Sequence, residues 1–244
     1  MMNEQTMSKL YALKLNGMAD AYEEQQKQPK INDLSFNERF SLLVERQWLW
    51  KENRALQSRL IYAQLKEQAC VEDLDFKDSR GLKRSVIDQL SACDWVRYHQ
   101  NVIVTGPTGT GKTYLGCALA HKACREGYRA LYCYGPKLFR EISTAHADGS
   151  LPRLLKKIAK AQLLVLDDWG LAKLNDQGYR DFLEILDDRQ GGGATLITSQ
   201  FPLKTWHEII PDQTIADAIV DRLIHNAHRI EMKGESMRKR KDKN

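Results

Sequence analysis

The run Gly106-Pro107-Thr108-Gly109-Thr110-Gly111-Lys112-Thr113 sets a lysine and a hydroxyl behind three glycines in the spacing G-x-x-x-x-G-K-[ST]. Without a Cβ, such glycines let successive backbone N–H groups turn inward around the β- and γ-phosphates of a nucleotide. Lys112 is spaced to reach the β/γ oxygens and the Thr113 hydroxyl to hold Mg²⁺. The apolar stretch Asn101-Val102-Ile103-Val104-Thr105 comes just before, and a helical pattern from Tyr114 to Arg125 just after. That order aims the positive end of a helix at the phosphates. A glycine-rich turn with no ligand is the competing reading, and it leaves the completely filled motif unexplained. The motif predicts a nucleoside triphosphate, expected to be ATP, on Gly106, Pro107, Thr108, Gly109, Thr110, Gly111, Lys112, Thr113 and Tyr114.

Downstream, Leu163-Leu164-Val165-Leu166-Asp167-Asp168 is a buried-strand pattern ending in two acids. A carboxylate at a strand tip beside a phosphate loop can sit in the Mg²⁺ shell, and its neighbour can orient and deprotonate an attacking water. Asp167 is the expected metal-side residue and Asp168 the expected catalytic base, with a plain Asp-Asp turn before Trp169-Gly170 as the alternative. Thr198-Ser199-Gln200 closes the next apolar run, so Gln200 is expected to sense the γ-phosphate or the water, or else to serve the turn. Two arginines follow, Arg222 within a helical pattern and Arg238 near the end. An arginine reaching a neighbouring subunit's nucleotide is worth about 10³ to 10⁵ in rate where measured in GTPases. Taken alone, either arginine also suits a surface ion pair.

These residues need a scaffold, and the pattern of the chain predicts one. Apolar, β-branched runs at Val102 to Thr105, Ala130 to Tyr134, Leu163 to Leu166 and Thr195 to Ser199, with a weaker one at Arg229 to Met232, alternate with helical patterns. Runs buried on both faces and spaced by helices imply an α/β fold, a parallel sheet flanked by helices. Residues 1–73 show no strand signal and are expected to form a small all-helical domain, with 74–244 as the nucleotide-binding domain. In the first part, one helix is suggested from Met7 to Gln26. Another opens with the capping-box pattern Ser35-Phe36-Asn37-Glu38 and runs to about Ala69 as one long helix or two joined ones.

At 244 residues, 42% hydrophobic and 28% charged, the chain has room for one α/β domain and an appendage, with the composition of a globular protein. Its five cysteines form no C-x-x-C pair and sit mostly in apolar segments, which argues against a zinc site or a disulfide frame. No stretch approaches the ~18 apolar residues of a membrane span. The polar start lacks a signal-peptide core, so no membrane contact and a cytoplasmic location are expected.

The formal charge of +5 is unevenly placed, with a dense basic tail from Arg238 to Lys243. In Leu151-Pro152-Arg153-Leu154-Leu155-Lys156-Lys157-Ile158-Ala159-Lys160 the four cations fall on one helical face and the leucines and isoleucine on the other. Arg153, Lys156, Lys157 and Lys160, with no intervening acid, suit phosphate contact, and Lys137 and Arg140 could extend the patch. Arg46 and Arg54, near Trp48 and Trp50, are further candidates for DNA, although interleaved glutamates equally suit a solvated helix face.

As a set, these residues resemble the IstB/DnaC-like branch of AAA+ P-loop ATPases, and within it the IstB helpers encoded beside a transposase in bacterial insertion sequences. The resemblance takes in Leu13 to Met18, Asp75-Phe76, Gly106 to Thr113, Leu166 to Gly170, Thr198 to Gln200, Asp221 to Leu223 and Gly234 to Arg238. It implies an Mg²⁺-dependent ATPase that assembles as a homo-oligomer on double-stranded DNA and stimulates the transposase. It also implies that Arg222 is a trans-acting arginine finger, Gln200 a first sensor and Arg238 a second sensor on the nucleotide. Two positions depart from the AAA+ pattern, which usually has Glu at Asp168 and often Asn at Gln200. The alternatives are a DnaC-type replicative helicase loader, a small-molecule kinase, and a DNA-coating protein that binds ATP without turning it over.

Overall fold

The computed structural model describes residues 2–76 and 80–237, and the chain divides into two compact units, Met1–Ser58 and Arg59–Asn244. The first is helical: α1 (Met2–Ala12), α2 (Asn16–Lys27) and the long α3 (Phe36–Ala63). The single helix expected from Met7 to Gln26 is in fact two. Lys14 adopts φ of 59°, its N–H bonds the Tyr11 carbonyl at 2.9 Å, and the Leu15 N–H bonds the Leu10 carbonyl at 2.8 Å. This paired closure ends a helix on a left-handed residue, and with lysine where glycine is usual, the stop carries no obvious sequence signal. The capping box at the head of α3 forms reciprocally. The Ser35 N–H donates to Glu38 Oε2 at 2.8 Å, and the Glu38 N–H donates to Ser35 Oγ at 3.3 Å.

The division falls inside α3, at Ser58, so the last turn of that helix and the stretch that follows belong to the larger unit. There the Tyr62 hydroxyl donates to the Lys157 carbonyl at 3.0 Å, and Ala63 and Ala69 are buried. Residue 73, where the absence of strand signals put the boundary, closes a short 3-10 turn ten residues beyond α3, and two further helices precede the first strand.

In the larger unit α4 (Arg84–Ser91) and α5 (Asp94–Arg97) precede β1 (Asn101–Thr105) and α6 (Lys112–Arg125). Then come β2 (Ala130–Tyr134), α7 (Gly135–Asp148), α8 (Leu151–Ala159), β3 (Leu163–Trp169) and α9 (Asp176–Arg189). The unit closes with β4 (Ala194–Ser199), α10 (Trp206–Ile209), α11 (Gln213–Ile224) and β5 (Ala227–Glu231). The strands pair in parallel in the order β2-β3-β4-β1-β5. Every residue of β4 is buried, as expected of a central strand covered on both faces. The apolar positions of α8 turn inward, with Ile158 buried and Leu151, Leu154 and Leu155 packed on the core cluster to which Phe182 and Trp169 belong. Among the described residues, no helix is long and apolar enough to cross a membrane.

One charged residue helps to fix the far end of α8. Arg189, the last residue of α9, is 3% exposed and donates to the carbonyls of Ile158 at 3.0 Å, Ala161 at 2.8 Å and Ala194, and to Thr195 Oγ1 at 3.2 Å. Burial pushes its pKa down to about 10, still far enough above neutrality to keep it charged. The planar guanidinium thus adds donors to carbonyls at the end of a helix and the start of a strand, the Ile158 carbonyl also accepting from the Ala161 N–H at 3.2 Å. Arg189→Met keeps much of the volume and removes the buried donors to those carbonyls, so urea unfolding should show a loss of roughly 1–3 kcal/mol. An unchanged midpoint would mean that solvent takes over the carbonyls.

Candidate nucleotide site

The run Gly106 to Gly111 links β1 to α6, and Gly111 caps the helix in the left-handed region at φ of 95°. A pocket of about 630 Å³ opens over it. It is lined by Thr108, Gly109, Gly111, Lys112, Thr113 and Tyr114 together with Asp168, Gln200, Asp75 and Arg80. Inside the loop, Lys112 Nζ and Thr110 Oγ1 both donate to the Pro107 carbonyl at 2.9 Å, and Thr108 Oγ1 donates to Gln200 Oε1 at 2.7 Å. Gly106 and Pro107 face an adjoining cleft that Gln200 also borders. The chain after β5 returns over the loop, where the Met237 N–H donates to the Gly109 carbonyl at 2.8 Å. Gly109 has φ of 83° and packs directly against Ser236, so a side chain there would meet both backbone strain and the returning segment.

Beside the loop, β3 carries its two acids differently from the strand tip expected. The strand continues to Trp169, and its register against β4 shifts between Leu166, opposite Ile197, and Trp169, opposite Ser199. Asp167 and Asp168 together face the single residue Thr198, a bulge, with Asp168 held at φ of 59°. Thr198 Oγ1 fills the mismatch: it accepts from the Asp168 N–H at 2.9 Å and donates to Asp167 Oδ1 at 2.7 Å. Asp167 is fully buried, and its carboxylate also accepts from Thr113 Oγ1 at 2.9 and 3.0 Å and from the Tyr132 hydroxyl at 2.8 Å. Burial and the adjacent Asp167 charge push the Tyr132 pKa well above the usual tyrosine value, so this hydroxyl remains a donor.

Thr113 and Asp167 are oxygen donors, the ligand type that Mg²⁺ takes. A site with so few protein ligands suits a cation that keeps waters and shares substrate phosphates, as Mg²⁺ does. Among the described residues no cluster of three or more His, Cys, Asp or Glu could hold a metal unaided.

The structure brings Lys112, Thr113, Asp168 and Gln200 to one pocket. It does not bring Arg222 there. That residue, on α11, pairs with Asp187 of α9, and its carbonyl accepts from the Asn101 side chain at 3.0 Å. Asn101 opens β1, so Arg222 sits at the amino end of the strands, whereas the loop follows their carboxyl ends. Arg238 lies outside the described residues. Sequence reasoning passed over Arg80, which is buried and donates to the carbonyls of Thr110 at 2.8 Å and Asp75 at 2.9 Å, bracing the loop from behind. It also passed over Tyr132 and the Thr198 side chain. Each of their strands carries more than one hydroxyl, Thr195, Thr198 and Ser199 in β4 and Tyr132 and Tyr134 in β2, so the sequence does not single out the one that meets Asp167.

The expected DNA-contacting cations part into two groups. Lys137 and Arg140 of α7 line one open groove of about 950 Å³ with Arg153, Lys156 and Lys157 of α8 and the adjacent Lys160. Only Glu141 and Asp148 oppose them, and Glu141 lies 3.6 Å from Lys137. Arg46 and Arg54 belong to the N-terminal unit, where Arg46 pairs with Glu24 at 3.0 Å and Arg54 lies over the Trp50 ring at 5.1 Å.

Because β4 separates the loop-bearing β1 from the aspartate-bearing β3, the larger unit is a P-loop ATP-binding module of the AAA+ type. The chain belongs to the IstB-like ATP binding protein family, whose model matches residues 8–244. A protein of Sinorhizobium fredii named as an insertion sequence ATP-binding protein is 47% identical over 239 residues, covering 98% of each chain. Among solved structures, DnaI superposes with a TM-score of 0.59 and 26% identity, over 68% of this chain and 92% of that one. The DnaC helicase loader superposes with a TM-score of 0.57 and 17% identity, over 68% of this chain and 97% of that one, a likeness of fold alone.

Lys112→Ala removes the one lysine aimed along the loop and should weaken ATP binding by about 10- to 100-fold, the worth of a hydrogen bond to a charged group. Calorimetric titration measures this, and an unchanged affinity would move the nucleotide elsewhere.

Proposed function

We propose that the chain hydrolyses ATP as a homo-oligomer assembled on double-stranded DNA, and that the assembly stimulates the transposase of its insertion sequence. The α7–α8 groove is the observation that carries the DNA half of this reading, because five cations from two helices and the adjacent Lys160 converge on it against two acids. An open surface with a clear excess of positive charge suits the phosphate backbone, which attracts cations without regard to base sequence. The relative's association with an insertion sequence supplies the transposase.

Within the pocket the loop amides and Lys112 hold the β- and γ-phosphates, and Thr113 with Asp167 holds Mg²⁺. The chemistry that the cation supplies is neutralisation of charge on the phosphoryl oxygens. Asp168 lines the pocket as the carboxylate that orients and deprotonates the attacking water, and Gln200, tied to Thr108, stands beside the γ-phosphate. Arg222 cannot serve its own pocket from the amino end of the sheet, so its contribution comes from a neighbouring copy, and Arg238 completes the set as a second sensor. Aspartate is about one methylene shorter than the glutamate usual at position 168. Hydrolysis suits a timer better than a motor, and steady-state turnover in the hundreds per second with DNA present would remove that reading.

Electron microscopy of the full chain with ATP should show assemblies on double-stranded rather than single-stranded DNA; the reverse preference would favour a helicase loader. Replacing Lys156 and Lys157 by Glu should lower DNA affinity by roughly tenfold or more and reduce the log–log salt slope by about 2, leaving ATP binding intact. Unchanged affinity and slope would reduce the groove to a solvated surface.

A further inference from the structure

We propose that Tyr132 is a positioning residue for the divalent cation of the nucleotide site: its hydroxyl pins Asp167 Oδ2 while Thr198 pins Oδ1, so that the carboxylate is held in one orientation beside Thr113. The inference rests on the reading that Thr113 and Asp167 bind Mg²⁺ with ATP. Tyr132 lies on β2, whose register pairs it with Val165 and pairs Tyr134 with Asp167. Side chains alternate along a strand, so Tyr132 shares a face with Tyr134 and meets Asp167 diagonally, within the reach of an aromatic side chain.

The hydroxyl is what the position requires. A phenylalanine would fill the same half-buried space, yet Tyr132 sends its O–H to Asp167 Oδ2 at 2.8 Å. On the other oxygen Thr198 donates at 2.7 Å from β4. Thr113 spans both oxygens from the third side, at 3.0 and 2.9 Å. A hydroxyl that donates to a carboxylate keeps lone pairs for a cation, so Thr113 can serve both. Neither Tyr132 nor Thr198 lines the pocket over the loop; Tyr132 donates to the carboxylate, and Thr198 serves the carboxylate and the Asp168 N–H together. Their loss should therefore change how the cation is held without changing how the bare nucleotide is held.

The test is binding of a fluorescent ATP analogue to the full chain, first in EDTA and then titrated with Mg²⁺. Tyr132→Phe should match the wild type in EDTA within about twofold and need roughly tenfold more Mg²⁺ to reach half of the metal-dependent gain, the weight of one hydrogen bond to a charged group. Thr198→Val should shift the same midpoint, and Thr198→Ser, which keeps the hydroxyl, should restore it. Equal Mg²⁺ midpoints for Tyr132→Phe and the wild type overturn the proposal. An equal loss of affinity in EDTA and in Mg²⁺ also overturns it, because that marks a packing role. A wild type with no Mg²⁺-dependent gain at all removes the reading of Thr113 and Asp167, and the proposal with it.

Discussion

A buried carboxylate is costly unless hydrogen bonds replace its water, and the centre of this molecule is arranged around one. Asp167 is fully buried and takes hydroxyl donors from α6, β2 and β4 at once. Those three elements belong to separate stretches of chain, so the requirement to solvate one side chain draws the phosphate loop, the outer strand and the neighbouring central strand into a single geometry. The bulge at Asp167 and Asp168 follows from the same demand. Thr198 can serve the side chain of one acid and the backbone of the next only if both face it, which costs the ladder its regular register and places Asp168 at a positive φ, a strain of about 1 kcal/mol or more.

The two ends of the sheet carry different work. The carboxyl ends of β1, β3 and β4 meet at the pocket, while the amino end of β1 lies against α11 and Arg222. The length of a strand separates Arg222 from the pocket of its own copy. The cationic groove is held by another route, with Arg189 binding the carbonyls that follow α8 and the leucines of α8 packing on the core. The lysines on the outer face of that helix are free to be a surface because its inner face and its end are both secured.

Much of this was legible in the residues, and the exceptions have physical causes. Periodicity located each strand to within two residues at either end apart from β3, because apolar runs between helices have few other uses. β3 reads as ending at Leu166, where the apolar run stops, yet it continues through two acids to Trp169 since Thr198 and the other hydroxyls make burial of Asp167 tolerable. The split between α1 and α2 was hidden because Lys14 fills a position where glycine would have announced the turn. The phosphate loop declares itself by spacing alone. Its supports do not: Arg80 braces Thr110 from thirty residues upstream, and Tyr132 reaches Asp167 across a strand pairing that no local pattern encodes.

The hydrogen bond from Met237 to Gly109 bears on where the nucleotide-binding module stops. By strand count it ends with β5 at Glu231. By the loop's own requirements it ends later, because Ser236 and Met237 form part of the wall against which the glycines turn. The shortest piece of chain that keeps the pocket whole therefore extends past the last strand at least to Met237, and a cut placed at the edge of the sheet would remove part of the pocket wall while leaving every strand in place.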